Sequence, residues 1–169
     1  MLNYIFRCLI IPMIMLIGCS DDDSQAEIAD LISFTTSNMN IADVFINLET
    51  NEEVSNESTW HLSIQKDTSN YNMPSIVFNN VQVALFEDLS FENINDFPKN
   101  FSDITIDDTD SFGYNGAHEV LSYDMAVHQV SVSNSDFVYI LKSQNENTFK
   151  LQFLDYQSGI TVFHYKSLN

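Results

Sequence analysis

The sequence predicts an all-β protein, a single antiparallel β-sandwich or flattened barrel that ends in a three-strand meander. Apolar and polar residues alternate with the period of two expected of half-buried strands, and Ile, Val, Phe, Tyr and Thr dominate the alternating segments. No helical stripe of apolar residues is longer than two turns. Asn-, Ser- and Asp-rich runs separate the segments, and these residues tolerate the left-handed backbone of tight turns.

Ten segments have the alternation and composition of strands. They are residues 28–35, 42–48, 60–65, 75–79, 81–87, 120–123, 127–133, 137–142, 148–156 and 160–165. Residues 89–97 are expected to form a short helix or an irregular loop before Pro98, and residues 100–116 are the longest stretch without strong alternation.

The last three strands give the clearest pattern. Their alternating apolar residues are expected to share one face: Phe137, Tyr139, Leu141, Phe149, Leu151, Phe153, Ile160 and Val162. Short connections, including a turn at Ser158-Gly159, predict an antiparallel meander. At least four further strands must close the core, which favours a sandwich or a barrel.

The first residues have the pattern of a lipoprotein signal peptide. Arg7 precedes an apolar run over residues 8–17, about half of the roughly 20 residues that a spanning helix needs. Leu16-Ile17-Gly18-Cys19 is a lipobox, with Cys19 as the lipidated residue. We expect a signal peptide over residues 1–18, the lipidated cysteine and an acidic tether over 19–26, and one β domain over 27–169. Several acyl chains on one cysteine would anchor the protein stably to a membrane.

Ser20-Asp21-Asp22-Asp23 follows the lipobox cysteine directly. This run resembles the export tag of surface lipoproteins in Bacteroidota-type Gram-negative bacteria. The resemblance implies a lipid-anchored protein on the outer face of the outer membrane, and a periplasmic orientation is the alternative.

Composition excludes several classes of function. The chain has 24 acidic and 6 basic residues and a formal charge of −18. Removal of residues 1–18, which carry only Arg7, leaves 151 residues with a formal charge of −19. Such a surface repels phosphate backbones, so we expect no nucleic-acid partner.

Catalytic motifs are missing from the sequence. The β domain has no cysteine and only three glycines, so it has neither a thiolate metal site nor a Gly-rich phosphate loop. No Gly-x-Ser-x-Gly or His-Glu-x-x-His motif occurs. A glycosidase-type pair of carboxylates is the only catalytic chemistry available, and we therefore expect a protein that is not an enzyme.

Residues 60–168 resemble the HmuY-like family. Residues 137–142, 149–156 and 159–166 are similar, in order, to its last three strands. Trp60-His61-Leu62-Ser63-Ile64 resembles its tryptophan strand, and Tyr123-Asp124 with His128 resembles its Tyr-Asn-x-x-x-His segment. The chain departs from the family at residues 144–147, where Gln-Asn-Glu-Asn replaces an Asp-Gly turn.

The resemblance implies an all-β surface lipoprotein that binds haem, or in some relatives cobalamin, and delivers it to a TonB-dependent outer-membrane transporter. Haem-binding members use two axial ligands, each His or Met, and His128 is the one position that matches here. The alternative is a non-haem accessory surface lipoprotein that binds a glycan or a partner protein.

His128 is the first candidate ligand, because a strand over residues 127–133 would place it on one face with Ala126, Val130 and Val132. A neutral imidazole in such a setting can ligate haem iron or cobalt. The alternative is a histidine bonded only to backbone. Met125, His118 and Met73 are candidates for the second ligand.

The remaining two histidines are weaker candidates. His61 shares a strand face with Ser63, opposite Trp60 and Leu62, and is expected to face solvent. His164 aligns with Ile160 and Val162 and is expected to be structural.

A calcium loop and a stacking site are weaker hypotheses. Asp108, Asp110, Gly113 and Glu119 have the spacing of positions one, three, six and twelve of an EF-hand loop, but position five is Phe112, which cannot ligate calcium. Phe112 and Tyr114 are candidates for stacking on a planar ligand or a sugar.

Overall fold

The computed structural model describes residues 30–69, 71–96 and 119–169, which form two antiparallel sheets and a separate hairpin. The strands are β1 (Ile32–Thr35), β2 (Val44–Asn47), β3 (Glu52–Val54), β4 (Leu62–Asp67), β5 (Met73–Phe78), β6 (Val81–Phe86), β7 (Leu121–Asp124), β8 (Gln129–Val132), β9 (Val138–Ser143), β10 (Thr148–Gln157) and β11 (Ile160–Ser167). The one helical element among these residues is a 3₁₀ turn, Phe91–Asn93. No helix within the described ranges is long and apolar enough to span a membrane.

The strand order of both sheets confirms the all-β prediction. One sheet has the order β1-β11-β10-β9-β6, and the other has the order β3-β2-β4-β5. The edge strands of one sheet do not pair with the edge strands of the other. The prediction of a sandwich is therefore confirmed, and the barrel alternative is wrong. β3 is not predicted by the sequence, because it has three residues and two of them are glutamates.

The main core lies between the two sheets. It contains apolar residues from both sheets and from the β7–β8 hairpin: Val44, Ile46, Leu62, Ile64, Ile76, Leu121, Tyr139, Leu141, Phe149, Leu151, Phe153, Phe163 and Tyr165. Aromatic rings in this layer contact one another edge-on, as between Tyr139 and Phe153, whose centroids are 5.7 Å apart. Such contacts add to the stabilisation from burial itself.

The predicted C-terminal meander is confirmed as β9, β10 and β11. Ser158 and Gly159 both have positive φ, 51° and 90°, as the tight turn between two such strands requires. The prediction that Ile160 and Val162 of β11 face the core is wrong, because Phe163 and Tyr165 point into the core. Ile160 and Val162 therefore lie on the opposite face.

A second apolar cluster covers the outer face of the five-stranded sheet. Ala84, Val138 and Ile140 on the sheet pack against Phe91 and Ile94 from the segment after β6. The buried Lys150 side chain fastens this segment. Its Nζ donates to the carbonyl oxygens of Phe91 at 2.6 Å and Ile94 at 2.8 Å.

Glu49, in the turn after β2, joins the two sheets at one end of the sandwich. Its carboxylate accepts hydrogen bonds from Ser143 Oγ at 3.1 Å and Asn147 Nδ2 at 2.7 Å, both at the turn between β9 and β10. His61 lies nearby and is 2% exposed, so the prediction that it faces solvent is wrong. Its Nδ1 accepts the backbone N–H of Leu48, and its ring lies 6.3 Å from that of Phe149.

Candidate functional site

Two of the sequence-predicted ligands, Met125 and His128, lie at the tip of the β7–β8 hairpin. Asp124 pairs with Gln129, so residues 125–128 form a four-residue turn. Asp124 Oδ1 accepts the N–H of Ala126 at 2.7 Å, which starts the turn. At the base, Val120 and Leu121 are buried in the main core, so a rigid scaffold carries an exposed tip.

His128 is the last residue of this turn. Its φ of 53° is left-handed and cannot continue a strand, so β8 begins at Gln129 rather than at Val127. The prediction that His128 shares a strand face with Ala126, Val130 and Val132 is therefore wrong. The side chain is exposed at the hairpin tip.

The imidazole of His128 is oriented by Tyr123. The phenolic oxygen of Tyr123 lies 2.7 Å from Nδ1, and the two ring centroids are 6.1 Å apart. In the tautomer in which Nδ1–H donates to the phenolic oxygen, Nε2 carries the free lone pair. This arrangement, with one ring nitrogen held by an outer partner, is typical of histidines that ligate metals.

Two exposed apolar residues lie in the same turn as His128. Met125 is 66% exposed and Val127 is 64% exposed, both in the same turn as His128. These two side chains add apolar surface to the hairpin tip. The tip thus combines a soft thioether, an imidazole and apolar surface.

Several predicted residues lie outside the described residues. These are Cys19, His118, Asp108, Asp110, Phe112, Gly113 and Tyr114. Glu119, the last position of the calcium hypothesis, is described and is 4% exposed. Met73, the third candidate for a second ligand, is the first residue of β5, on the four-stranded sheet.

Within the described ranges, no three His, Cys, Asp or Glu side chains are close enough to hold a metal ion together. The tip offers one imidazole, that of His128, with one ring nitrogen held by Tyr123.

Sequence reasoning missed the polar surroundings of His164. Its Nε2 lies 2.7 Å from Gln152 Oε1, and it lines a cavity of about 430 Å³ on the outer face of the five-stranded sheet. Alternation alone could have placed His164 and Gln152 on the outer face, but nothing in the sequence indicates that the segment after β6 packs over them.

No protein-family model and no curated protein matches the sequence. Solved structures do match its fold. The apo HmuY analog of Tannerella forsythia superposes with a TM-score of 0.56 and 15% identity, covering 83% of this chain and 98% of that one. A protein of Bacteroides vulgatus described as HmuY-like and haem-binding gives 0.51 and 13% identity, covering 81% and 90%.

A Bacteroides fragilis protein described as a lipoprotein gives a TM-score of 0.50 and 14% identity, covering 83% of this chain and 91% of that one. These likenesses extend over nearly the whole length of each solved chain, with the β domain as the shared part. The chain therefore has the fold of HmuY-like proteins, as the resemblance of its C-terminal strands predicts.

Proposed function

We propose that the protein is a lipid-anchored outer-membrane lipoprotein that captures haem and passes it to a TonB-dependent transporter. The observation that supports this most is His128, an exposed imidazole whose Nδ1 is held by Tyr123 at an apolar hairpin tip. The tip projects from the fold that this chain shares with the HmuY-like structures.

Nε2 of His128 is the proposed axial ligand. In the tautomer in which Nδ1–H donates to the Tyr123 oxygen, this hydrogen bond fixes the ring plane and leaves Nε2 free to bind. Met125 and Val127 would pack against the edge of the macrocycle and exclude water from it. Iron in haem accepts a neutral imidazole through one nitrogen.

The second axial ligand is Met125 or His118. Met125 lies in the same turn as His128, three residues before it. His118 precedes β7 and would approach from a different part of the chain. Replacing each residue separately distinguishes them.

Charge determines how the ligand would lie. Residues 119–133 contain no Lys or Arg, so the hairpin cannot pair with the haem propionates. The propionates are therefore expected to point into solvent, away from Asp124. Cobalamin has no propionate carboxylates and would ligate through cobalt, which makes a corrinoid the alternative ligand at the same imidazole.

A haem titration followed by absorbance tests this proposal. The chain from Ser20 onward is expected to give a saturable, red-shifted Soret band. His128→Ala should weaken haem binding at least tenfold, whereas His164→Gln should leave it unchanged because that histidine lies on β11. A wild-type protein without a Soret shift in either oxidation state would contradict haem capture.

A glycan-binding or partner-binding surface is the second candidate function, and one observation favours it. Phe45 and Trp60 pack edge-to-face at 5.2 Å. Phe45 alternates with the core residues Val44 and Ile46 and pairs with Val54, so it lies on the outer face of the four-stranded sheet. Half-buried aromatic rings on a flat sheet are suited to stacking on sugars. Glycan-array binding that Trp60→Ala abolishes would support this function.

A further inference from the structure

β1 forms one edge of the five-stranded sheet and, among the described residues, pairs with β11 alone. Directly after β1, the N–H of Thr36 donates to the carbonyl oxygen of Thr161 at 3.0 Å, which continues the β1–β11 register. Because successive N–H groups of a strand point to opposite sides, the backbone groups of Ser33 and Thr35 point away from β11. Both residues are exposed. The outward edge of β1 thus presents N–H donors and C=O acceptors to a further strand.

Edge strands usually carry a charge or a proline that prevents pairing with another chain. Here β3 carries Glu52 and Glu53, β5 contains Pro74, and β6 runs directly into two acidic residues. β1 has no such device, because residues 31–42 contain neither a charged residue nor a proline in a chain of formal charge −18. The carboxylate of Glu53 reaches this side of the sandwich, but it accepts the N–H of Ser37, two residues beyond the end of β1.

The core side of β1 is incompletely covered. Ile32 and Phe34 pack against the main core, yet both are only partly buried. The Phe34 ring stacks on Phe163, with centroids 5.2 Å apart and planes inclined by 15°. A strand added beside β1 would cover the remaining surface of Ile32 and Phe34, and this burial would add to the backbone hydrogen bonds in stabilising the pairing.

We propose that this edge pairs with β1 of a second copy of the chain, antiparallel about a two-fold axis at Phe34. Ser33 of one copy then lies opposite Thr35 of the other, and each of these equivalent pairs exchanges both of its backbone hydrogen bonds. The two Phe34 side chains form the closer pair on the axis, so the stack with Phe163 continues across it. No like charges face each other in this register. The contact is isologous, so it closes as a dimer and does not extend into a filament.

The strength of this contact depends on the proposed lipid anchor. Pairing of two short strands buries less than the roughly 1,200–2,000 Å² of a stable interface. An anchor confines all copies to one membrane surface and raises the effective concentration of the partner. Residues 20–31 connect Cys19 to β1 and span at most about 40 Å when extended, which keeps β1 near that surface. Haem capture is not required, because β1 shares no residue with the β7–β8 turn.

Cysteine cross-linking of the full chain in the membranes of a Gram-negative host tests the register. The β domain has no cysteine, so an introduced thiol is its only one. Co-expressed Ser33→Cys and Thr35→Cys chains should give disulfide-linked dimer on mild oxidation. The yield should be at least about tenfold higher than from either variant alone, because only the unlike positions lie within disulfide reach. Ser55→Cys with Ser58→Cys, two exposed positions after β3, is the control for random collisions. Equal yields from the two mixtures would overturn the interface.

A backbone variant tests the hydrogen bonds themselves. Thr35→Pro removes an outward N–H and leaves the bonds to β11, since edge strands tolerate proline where the N–H faces solvent. Thr35→Val keeps the N–H and is the matched control. Energy transfer between fluorophores on Ser58→Cys should fall to the random-collision value in Thr35→Pro and stay unchanged in Thr35→Val. Undiminished transfer in Thr35→Pro would overturn the interface.

The same cross-link in a concentrated solution of the chain from Ser20 onward separates this proposal from the proposed function. A cross-link in solution from a chain that does not attach to membranes would contradict the anchor and support the interface. A membrane-attached chain without the register-specific cross-link would contradict the interface alone, and absence of the cross-link in both forms would overturn it as well. His128→Ala should leave the yield unchanged, so haem capture and pairing fail separately.

Discussion

At the scale of single residues, the account depends on the contact between Tyr123 and His128. Tyr123→Phe keeps the ring and removes the oxygen that lies 2.7 Å from Nδ1. Loss of such an outer partner typically costs ten- to a hundredfold in metal affinity, so we expect roughly tenfold weaker haem binding. Ser122→Ala removes a long 3.3 Å contact to Ser131 in the same hairpin and serves as the control. Equal haem affinity in Tyr123→Phe and the wild type would contradict the orienting role.

Lys150 gives a second residue-scale prediction, for stability. The side chain is 2% exposed, and its Nζ donates to two backbone carbonyls. Lys150→Met keeps most of the volume but leaves both acceptors without this donor, which should cost about 1–3 kcal/mol in the free energy of unfolding. Lys166→Met, at the cross-strand neighbour, should cost less than about 0.5 kcal/mol because that side chain is only partly buried. Denaturant unfolding of both variants measures the difference.

At the scale of elements, the Ser158-Gly159 turn between β10 and β11 is sharply constrained. Gly159 has a φ of 90°, and a Cβ there would meet the side chains of Asn38 and Asn40. Asn40 Nδ2 donates to the Ser158 carbonyl, so the crowded groups are also hydrogen-bonded. Gly159→Ala should therefore lower the unfolding free energy by at least about 1 kcal/mol, as measured by denaturant unfolding. An unchanged midpoint would show that the turn adapts.

The end of the sandwich that contains Glu49 and His61 should make the free energy of unfolding fall in acid. Burial lowers the pKa of His61 from its ordinary value of 6.5, so the unfolded chain binds the proton more readily. The contribution of the neutral His61 ring to the free energy of unfolding is fully present above pH 6.5 and is lost as the pH falls below that value. The hydrogen bond from Asn147, more than any other cause, lowers the pKa of Glu49 from 4.5, so that carboxylate's contribution is lost at still lower pH.

The expected result is a fall in unfolding free energy between pH 7.5 and pH 5.5. In His61→Gln the amide oxygen can still accept the Leu48 N–H, and this part of the fall should shrink. A His61→Gln slope equal to that of the wild type would exclude His61 as the origin of the pH dependence.

The sequence predicts the positions of the strands better than it predicts the turns and the direction of the side chains near the strand ends. All ten predicted strands overlap an observed one, because half-buried strands alternate visibly. The phase of β11 was not predictable, since a bulge in β10 between Phe153 and Asp155 changes the register of the pairing. The turn at residues 125–128 is also hidden in the sequence, because Ala126 and His128 are in phase with Val130 and Val132 of β8. Asp124 and a left-handed His128 nevertheless impose a turn there.

At the scale of the whole molecule, the fold was predictable and the function was not. Alternation along the strands and the resemblance at the C-terminus both lead to the sandwich that the solved HmuY-like structures share. The candidate site depends on exposed side chains, which leave no periodic signal. The cavity at His164 likewise depends on contacts between residues far apart in the sequence, such as Phe91 and His164.

Anchoring is a prediction for the whole molecule. In a Gram-negative host, the full chain should partition with outer-membrane lipid and carry acyl groups on Cys19, detectable by mass spectrometry. Cys19→Ala should release the protein from the membrane. Without the acyl groups only the apolar run over residues 8–17 remains, and this run is too short to span the membrane. Protease accessibility on intact cells would then distinguish the cell surface from the periplasm.

The central claim is that an imidazole of this chain ligates the captured iron. The most direct measurement is pulsed electron paramagnetic resonance of the ferric haem complex, prepared with ¹⁵N-labelled histidine. We predict a ¹⁵N hyperfine coupling from one axial imidazole in the wild type and its loss in His128→Ala. A coupling that persists in His128→Ala, or a haem complex without any axial imidazole coupling, would contradict the account.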